Sequence, residues 1–180
     1  REIREKSLWA KKPVIYVFNV SENQLQNSAE TKKKIEEIVK LLYGYIVDNY
    51  LYLNAKLEND VLALNEKEQI EYLKQYNLEE TGLNRLVKKS YETLGLISFL
   101  TAGTLEARAW TIKKGTLAPQ AAGVIHTDFE KKFIKADIIP YQKFVDVGGW
   151  VVGREQGLVQ TMGRDYEMKD GEVVEFKVNT

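Results

Sequence analysis

The chain has 180 residues, and its 26 lysine and arginine side chains are balanced by 26 aspartate and glutamate side chains. Hydrophobic residues make up 44% and charged residues 29%, a globular composition that excludes a disordered polyelectrolyte. The chain has no cysteine, which excludes disulfides, zinc ribbons, iron–sulfur clusters and cysteine nucleophiles. No apolar run reaches the roughly 18 residues that a membrane span needs, so we expect no membrane partner.

The first half of the chain alternates predicted strands and helices. Residues 1–10 predict the end of a charged helix, and the apolar run at 14–18 predicts a strand buried on both faces. Asn27 with Glu30 three positions later predicts a capping box. It opens a helix whose apolar positions are Ile35, Ile38, Val39, Leu42, Tyr45 and Ile46.

A second strand is predicted at residues 50–53, followed by a loop at 54–58. Two more helices are predicted at about 66–76 and 82–94, the second capped by Thr81. This order of strand, helix and strand is typical of an α/β domain, which we assign to residues 11–94.

The pattern changes near residue 95. A hairpin is predicted from strands at 96–102 and 106–112, with a turn around Gly103 and Thr104. A helix is predicted at 118–127, a strand at 133–139, a short helix or turn at 141–147 and a closing strand at 173–178. We therefore expect a small α+β domain with a grasp-like fold over residues 95–180.

The first candidate site follows the first strand, at Asn19, Val20, Ser21 and Glu22. Ligands of doubly wound folds bind at the carboxyl ends of the strands. GTPases with a phosphate-binding loop read guanine there through Asn-Lys-x-Asp, whose carboxylate accepts both guanine donors. Here Val20 replaces the lysine and the longer Glu22 replaces the aspartate, which predicts a loss of guanine selectivity. A solvated strand-to-helix turn is the alternative interpretation.

The second candidate site, Asn54, Ala55 and Lys56 with Glu58, follows the second strand. GTPases carry a Ser-Ala-Lys-like loop at this place, and its backbone also contacts the base. The sequence contains no Gly-x-x-x-x-Gly-Lys-Ser/Thr segment, so these residues can contact a base but lack the loop that cradles phosphates. We therefore expect no catalytic residue in this chain and no hydrolysis by the chain alone.

The remaining polar candidates lie in the second half. His126, the only histidine, is interpreted as a residue near a helix C-terminus, since a metal site needs more than one strong ligand. Residues 105–143 carry seven basic and four acidic side chains, and an excess of this kind can steer a polyanion or neutralise the acidic segment that follows. The candidates for RNA or ribosome contact are Arg108, Lys113, Lys114, Lys131, Lys132 and Lys135.

Longer motifs run through both halves of the chain. The first half contains the segment at residues 12–22, which includes the first candidate site. The motifs of the second half are Thr-Ala-Gly at 101–103, Ala-Arg-Ala-Trp-Thr-Ile-Lys-Lys-Gly-Thr at 107–116, Ala-Pro-Gln-Ala-Ala-Gly-Val-Ile-His-Thr-Asp-Phe-Glu-Lys at 118–131, Gly-Arg-Asp-Tyr at 163–166 and Lys-Asp-Gly-Glu-Val-Val-Glu-Phe at 169–176. Together these motifs resemble the Obg-like ATPases of the YchF family, in which residues 12–22 resemble the variant base-recognition segment.

The resemblance implies a domain organisation. Residues 1–10 are then the end of a helical coiled-coil insertion, 11–94 the last part of a nucleotide-binding domain with a phosphate-binding loop, and 95–180 a TGS domain with a ubiquitin-like β-grasp. It also implies that the chain is the carboxyl-terminal portion of a cytoplasmic ATPase that prefers ATP to GTP, uses Mg²⁺ and associates with the ribosome in translation control.

The resemblance further implies roles for individual residues. Asn19, the Val20 backbone and Glu22 face the base, and the loop of Asn54, Ala55 and Lys56 covers it. We expect neither ATP nor Mg²⁺ to be held by this chain alone. The alternative from another class of protein is a non-catalytic TGS module that binds RNA or a protein.

Overall fold

The computed structural model describes residues 12–44, 48–103 and 106–179. The chain divides into two compact units, residues 1–94 and residues 95–180. The helix end predicted at residues 1–10, the helical positions Tyr45 and Ile46 and the turn residue Thr104 lie outside the described residues.

The first unit is built on two parallel strands. Strand β1 (Tyr16–Asn19) pairs with β2 (Tyr50–Leu53), with Asn19 opposite Leu53. Its helices are α1 (Glu22–Gln26), α2 (Ser28–Tyr43), α3 (Ala55–Leu62), α4 (Glu66–Lys74) and α5 (Gly82–Leu94). The buried core is formed by Val20, Leu25, Ile35, Val39, Leu57, Val61 and Leu73.

Several elements of the first unit confirm the predictions. Strand β2 and helix α5 have the predicted bounds, and the Thr81 hydroxyl accepts a hydrogen bond from the Asn84 N–H at 3.1 Å. The prediction that the first strand is buried on both faces is wrong, since Val17 is 47% exposed. Alternate side chains of a strand point to opposite faces, and Phe18 packs on the Tyr50 ring while Val17 points away from it.

Two local predictions in this unit are also wrong. The capping box lies at Ser21, whose hydroxyl accepts from the Gln24 N–H while the Gln24 side chain accepts from the Ser21 N–H. Asn27, which ends α1 and precedes α2, makes no side-chain cap bond, and Glu30 pairs instead with Lys34 at 2.6 Å. The loop predicted at 54–58 is the start of α3.

The second unit contains a mixed sheet with the strand order β4, β3, β7, β5, β6. The strands are β3 (Leu96–Ala102), β4 (Ala107–Lys113), β5 (Phe133–Pro140), β6 (Gln160–Met162) and β7 (Glu172–Val178). Strands β3 and β7 pair in parallel, and the other neighbours are antiparallel. The structure confirms the predicted hairpin, formed by β3 and β4, and the strands predicted at 133–139 and 173–178.

Helices cover both faces of this sheet. Helix α6 (Ala118–Ile125) contributes Ala118, Ala121 and Ala122 to a core shared with Phe99 and Ile112. Helix α7 (Thr127–Lys131) follows it, and α8 (Tyr141–Asp146) and α9 (Trp150–Glu155) come after β5. Helix α8 confirms the short element predicted at 141–147, whereas α9 and β6 were not predicted.

Candidate nucleotide-base site

The carboxyl ends of β1 and β2 lie side by side. The Val20 N–H donates to the Leu53 carbonyl at 2.9 Å, which extends the parallel ladder by one step. Since each strand then runs directly into a helix, the segments that follow the two strands meet at one edge of the sheet.

Three contacts join the two segments. The side-chain oxygen of Asn19 accepts from the Ala55 N–H at 3.0 Å, and the Asn54 side-chain N–H donates to the Val20 carbonyl at 2.6 Å. The Lys56 ammonium lies 3.5 Å from Glu22 Oε1. The structure therefore brings together all six residues predicted for nucleotide binding: Asn19, Val20, Glu22, Asn54, Ala55 and Lys56.

Asn54 has a different environment from the others. It is buried, and its side-chain oxygen accepts from the Leu57 N–H at 2.8 Å, which caps α3. Both ends of its amide are thus used inside the protein, one for the cap and one for Val20. Asn54 sets the relative position of the two segments, while Ala55 and Lys56 are more exposed. A contact between Asn54 and a base stays a prediction.

Glu22 is held by a residue that the sequence reasoning missed. The Tyr76 hydroxyl donates to Glu22 Oε2 at 3.3 Å, across 54 residues of sequence. A hydrogen bond with the Tyr72 side chain, burial and the Glu22 carboxylate together raise the pKa of Tyr76 to about 12. Tyr76 therefore keeps its proton in the neutral range and acts as a donor. Its place two residues after α4 carries no local signal of this role.

Glu58, which the sequence placed in the second candidate site, supports the α3 side of the site through a helix cap. The Glu58 carboxylate accepts from the Gly82 N–H at 2.6 Å and from the Leu83 N–H at 3.1 Å, which caps α5. A Cβ on Gly82 would lie 2.7 Å from Glu58 Oε1 and 2.7 Å from Leu53 Cβ. Only glycine allows this approach of α5 to β2 without displacement.

The six basic residues predicted for RNA or ribosome contact are all exposed but do not form one patch. Arg108 lies on β4, with its guanidinium carbon 4.1 Å from the Trp110 ring centroid, and points to the face that holds buried Ile112. Lys113 points to the opposite face, and Lys114 follows it in the turn. On β5, three strands from β4, Lys135 lies 4.0 Å from Asp137.

Lys131 and Lys132 form a third location at the end of α7. Lys132 borders an open cavity of about 510 Å³ that is also lined by His126 and Phe129. His126 ends α6, as predicted, and its Nδ1 also accepts from the Asp128 N–H at 3.2 Å, which caps α7. Within the described ranges, no three histidine, aspartate or glutamate side chains are placed to hold a metal ion.

No helix among residues 12–44, 48–103 and 106–179 is both long and apolar enough to cross a bilayer.

Comparison with known proteins identifies the family. The family model YchF-GTPase_C, described as a protein of unknown function (DUF933), matches residues 96–179. The chain is 36% identical over 179 residues to the ribosome-binding ATPase YchF of Bacillus subtilis, covering 98% of this chain and 48% of the relative. It is 39% identical over 177 residues to the protein of the same name from Escherichia coli O157:H7, covering 98% of this chain and 47% of that relative.

A solved structure agrees with these matches. The Schizosaccharomyces pombe YchF GTPase superposes with a TM-score of 0.75 at 36% identity, over 92% of this chain and 43% of that one. The chain spans about half the length of the curated relatives it matches. The sequence and structural matches run through both units, and they agree with the motifs at both strand ends and in the second unit: the chain belongs to the YchF family.

Proposed function

We propose that this chain is part of a cytoplasmic ATPase that binds and hydrolyses ATP with Mg²⁺ and associates with the ribosome in translation control. The observation that carries the nucleotide part is the convergence of Asn19, Val20 and Glu22 with Ala55 and Lys56 at one sheet edge. The phosphate-binding loop, the Mg²⁺ ligands and the catalytic groups would come from other parts of the complete protein.

The chemistry of this edge suits adenine. Asn19 uses its side-chain oxygen on Ala55, which leaves its N–H₂ group to donate to a ring nitrogen. The Val20 carbonyl accepts from Asn54 and retains a second lone pair, which can accept from the exocyclic amine of adenine. Val20 and Glu22 stand where guanine-binding proteins have lysine and aspartate, which supports a preference for ATP over GTP.

The names of the relatives do not decide the nucleotide. The two bacterial relatives are called ATPases, and the fission yeast structure is called a GTPase. The ATP proposal therefore rests on the residues at the site, and a measurement of ATP binding tests it.

The test is ATP binding by the full-length protein and its Asn19→Ala variant. We expect the variant to bind ATP several-fold more weakly, because it loses both a base contact and the bond that holds Ala55 in place. Asn23→Ala, the same change at an exposed position of α1, is the matched control and should bind as the wild type does. An unchanged affinity of the Asn19 variant would remove the assignment.

For the second unit we propose a TGS domain with a ubiquitin-like β-grasp fold. The support is its hairpin, the helix α6 across the sheet and the parallel pairing of the first and last strands at the centre. The relatives' name, ribosome-binding ATPase, supports the ribosome as partner. A non-catalytic RNA- or protein-binding module is the second candidate, favoured by the exposed lysines at the end of α7 and on β5.

Co-sedimentation with ribosomes separates the two candidates. Reversing Lys131, Lys132 and Lys135 to glutamate should weaken pelleting and reduce its salt dependence, because fewer phosphates are neutralised. Reversal of Lys33, Lys67 and Lys74 in the first unit is the charge-matched control. Pelleting that changes with bound ATP supports an ATPase whose ribosome association depends on the nucleotide. Pelleting that is the same with and without ATP supports the non-catalytic module.

A further inference from the structure

We propose that Tyr76 determines nucleotide specificity: with Lys56 it holds the Glu22 carboxylate so that Glu22 cannot read guanine. This inference rests on the proposed base site, and it assigns the discrimination against guanine to a residue outside both segments of that site.

The geometry occupies each oxygen of the carboxylate separately. Lys56 Nζ lies 3.5 Å from Oε1, and the Tyr76 hydroxyl lies 3.3 Å from Oε2. The three side chains come from different elements: Glu22 from the first turn of α1, Lys56 from the first turn of α3, and Tyr76 from the segment after α4. The position of the Glu22 carboxylate is therefore fixed by contacts with two separate parts of the first unit.

Guanine recognition by a carboxylate needs both oxygens at once. One oxygen accepts from N1–H and the other from the exocyclic N2–H₂ group of the base, in a bidentate arrangement. Each oxygen of Glu22 keeps a further lone pair, but donors from two different parts of the first unit fix the plane of the carboxylate. To pair with a guanine outside that plane, the carboxylate must turn and lose at least one of these donors. Adenine offers no such pair of donors, so its binding does not compete with Tyr76 and Lys56 for Glu22.

Tyr76 is itself held in place. Its ring packs on that of Tyr72, with centroids 5.6 Å apart and an angle of 52° between the planes. Both rings pack against the buried core of the first unit. Lys56, by contrast, is 76% exposed, and an ion pair with so exposed a partner contributes little by itself. Of the two donors, the half-buried hydroxyl is therefore the one that fixes the carboxylate.

The experiment measures the dissociation constants of ADP and GDP for the full-length protein by calorimetry. Tyr76→Phe removes one hydroxyl and keeps the packing of the ring. We expect the preference for ADP over GDP to fall about two- to tenfold, the range of one ordinary intramolecular hydrogen bond. The matched control is Tyr141→Phe, the same change at a 51% exposed tyrosine of the second unit, which should leave the preference unchanged.

A double-mutant cycle shows whether Tyr76 acts through Glu22. In a Glu22→Gln background, Tyr76→Phe should no longer change the ratio of the two constants, because the carboxylate that it positions is gone. An effect of equal size in both backgrounds would overturn the inference.

The remaining outcomes are also decisive. An unchanged ratio in Tyr76→Phe, or a loss of affinity that is equal for both nucleotides, would show a purely structural tyrosine and overturn the inference while the proposed site stands. A wild-type protein that binds neither nucleotide would overturn the proposed function, and this inference with it.

Discussion

The side-chain N–H of Asn54 donates to the main-chain carbonyl of Val20 at 2.6 Å, although 34 residues separate them in sequence. The same side chain accepts from the Leu57 N–H and so caps α3. One buried amide thus joins the end of one strand, the end of the next and the start of a helix. The position of both candidate base segments depends on it.

Replacement of Asn54 by alanine should destabilise the first unit by about 2–3 kcal/mol, because it removes a helix cap and leaves a buried carbonyl without its partner. Urea unfolding measures this loss. Asn65→Ala removes only the exposed cap of α4 and should cost about 1 kcal/mol. Equal losses in the two variants would contradict the linking role of Asn54.

Restoring the guanine-reading residues should shift nucleotide preference. With Val20→Lys and Glu22→Asp together, the shorter carboxylate no longer reaches the donors on Lys56 and Tyr76 and can accept both guanine donors. We expect GDP affinity to rise relative to ADP by about tenfold or more, measured by calorimetry on the full-length protein. A double variant that still rejects GDP fully would show that discrimination resides elsewhere.

Gly82→Ala should destabilise the first unit by about 1–3 kcal/mol. The added Cβ would lie 2.7 Å from Leu53 Cβ, which cannot rotate away, and would also push against Glu58, the cap of α5. The midpoint of denaturant unfolding reports the change. Gly163→Ala is the control, since no atom lies within 4 Å of its added Cβ, and it should stay within about 0.5 kcal/mol of the wild type.

The hydrogen bond from the Tyr166 hydroxyl to the Glu172 carboxylate makes the free energy of unfolding depend on pH in the alkaline range. Burial, followed by the hydrogen bond to the Glu172 carboxylate, raises the pKa of Tyr166 above its usual value of about 10. Because its pKa is raised in the folded state, Tyr166 keeps its proton to a higher pH in the folded state than in the unfolded state. This contribution to stability is therefore complete below about pH 10 and is lost as the pH rises through the folded-state pKa.

Tyr166→Phe tests this dependence. The variant should be less stable by about 1–2 kcal/mol at neutral pH, and its stability should fall less steeply above pH 10. Thermal or urea unfolding across pH 7 to 11 measures both effects, with Tyr141→Phe as the matched control. An unchanged slope above pH 10 would exclude Tyr166 as its source.

Elements with a strong local pattern were predictable from sequence. The run at Tyr50–Leu53, the amphipathic helix Gly82–Leu94 and the hairpin around Gly103 carry their hydrophobic period or turn residues within a few positions. Shorter elements were missed or misplaced. The sequence does contain a pattern that predicts helix α3: the cap residue Asn54 is followed by Leu57 and Val61 at helical spacing. The segment was predicted as a loop because it resembles the Ser-Ala-Lys-like loop of GTPases.

The two candidate base segments and their order along the chain were determined by the sequence alone, because parallel strands expose their carboxyl ends at one edge. The tertiary structure decided what each side chain does there. The Asn54 side chain donates to the Val20 carbonyl, 34 residues away in sequence. The Tyr76 hydroxyl donates to the Glu22 carboxylate, 54 residues away. Such contacts depend on how helices pack on the strands, and no local period or motif encodes that packing.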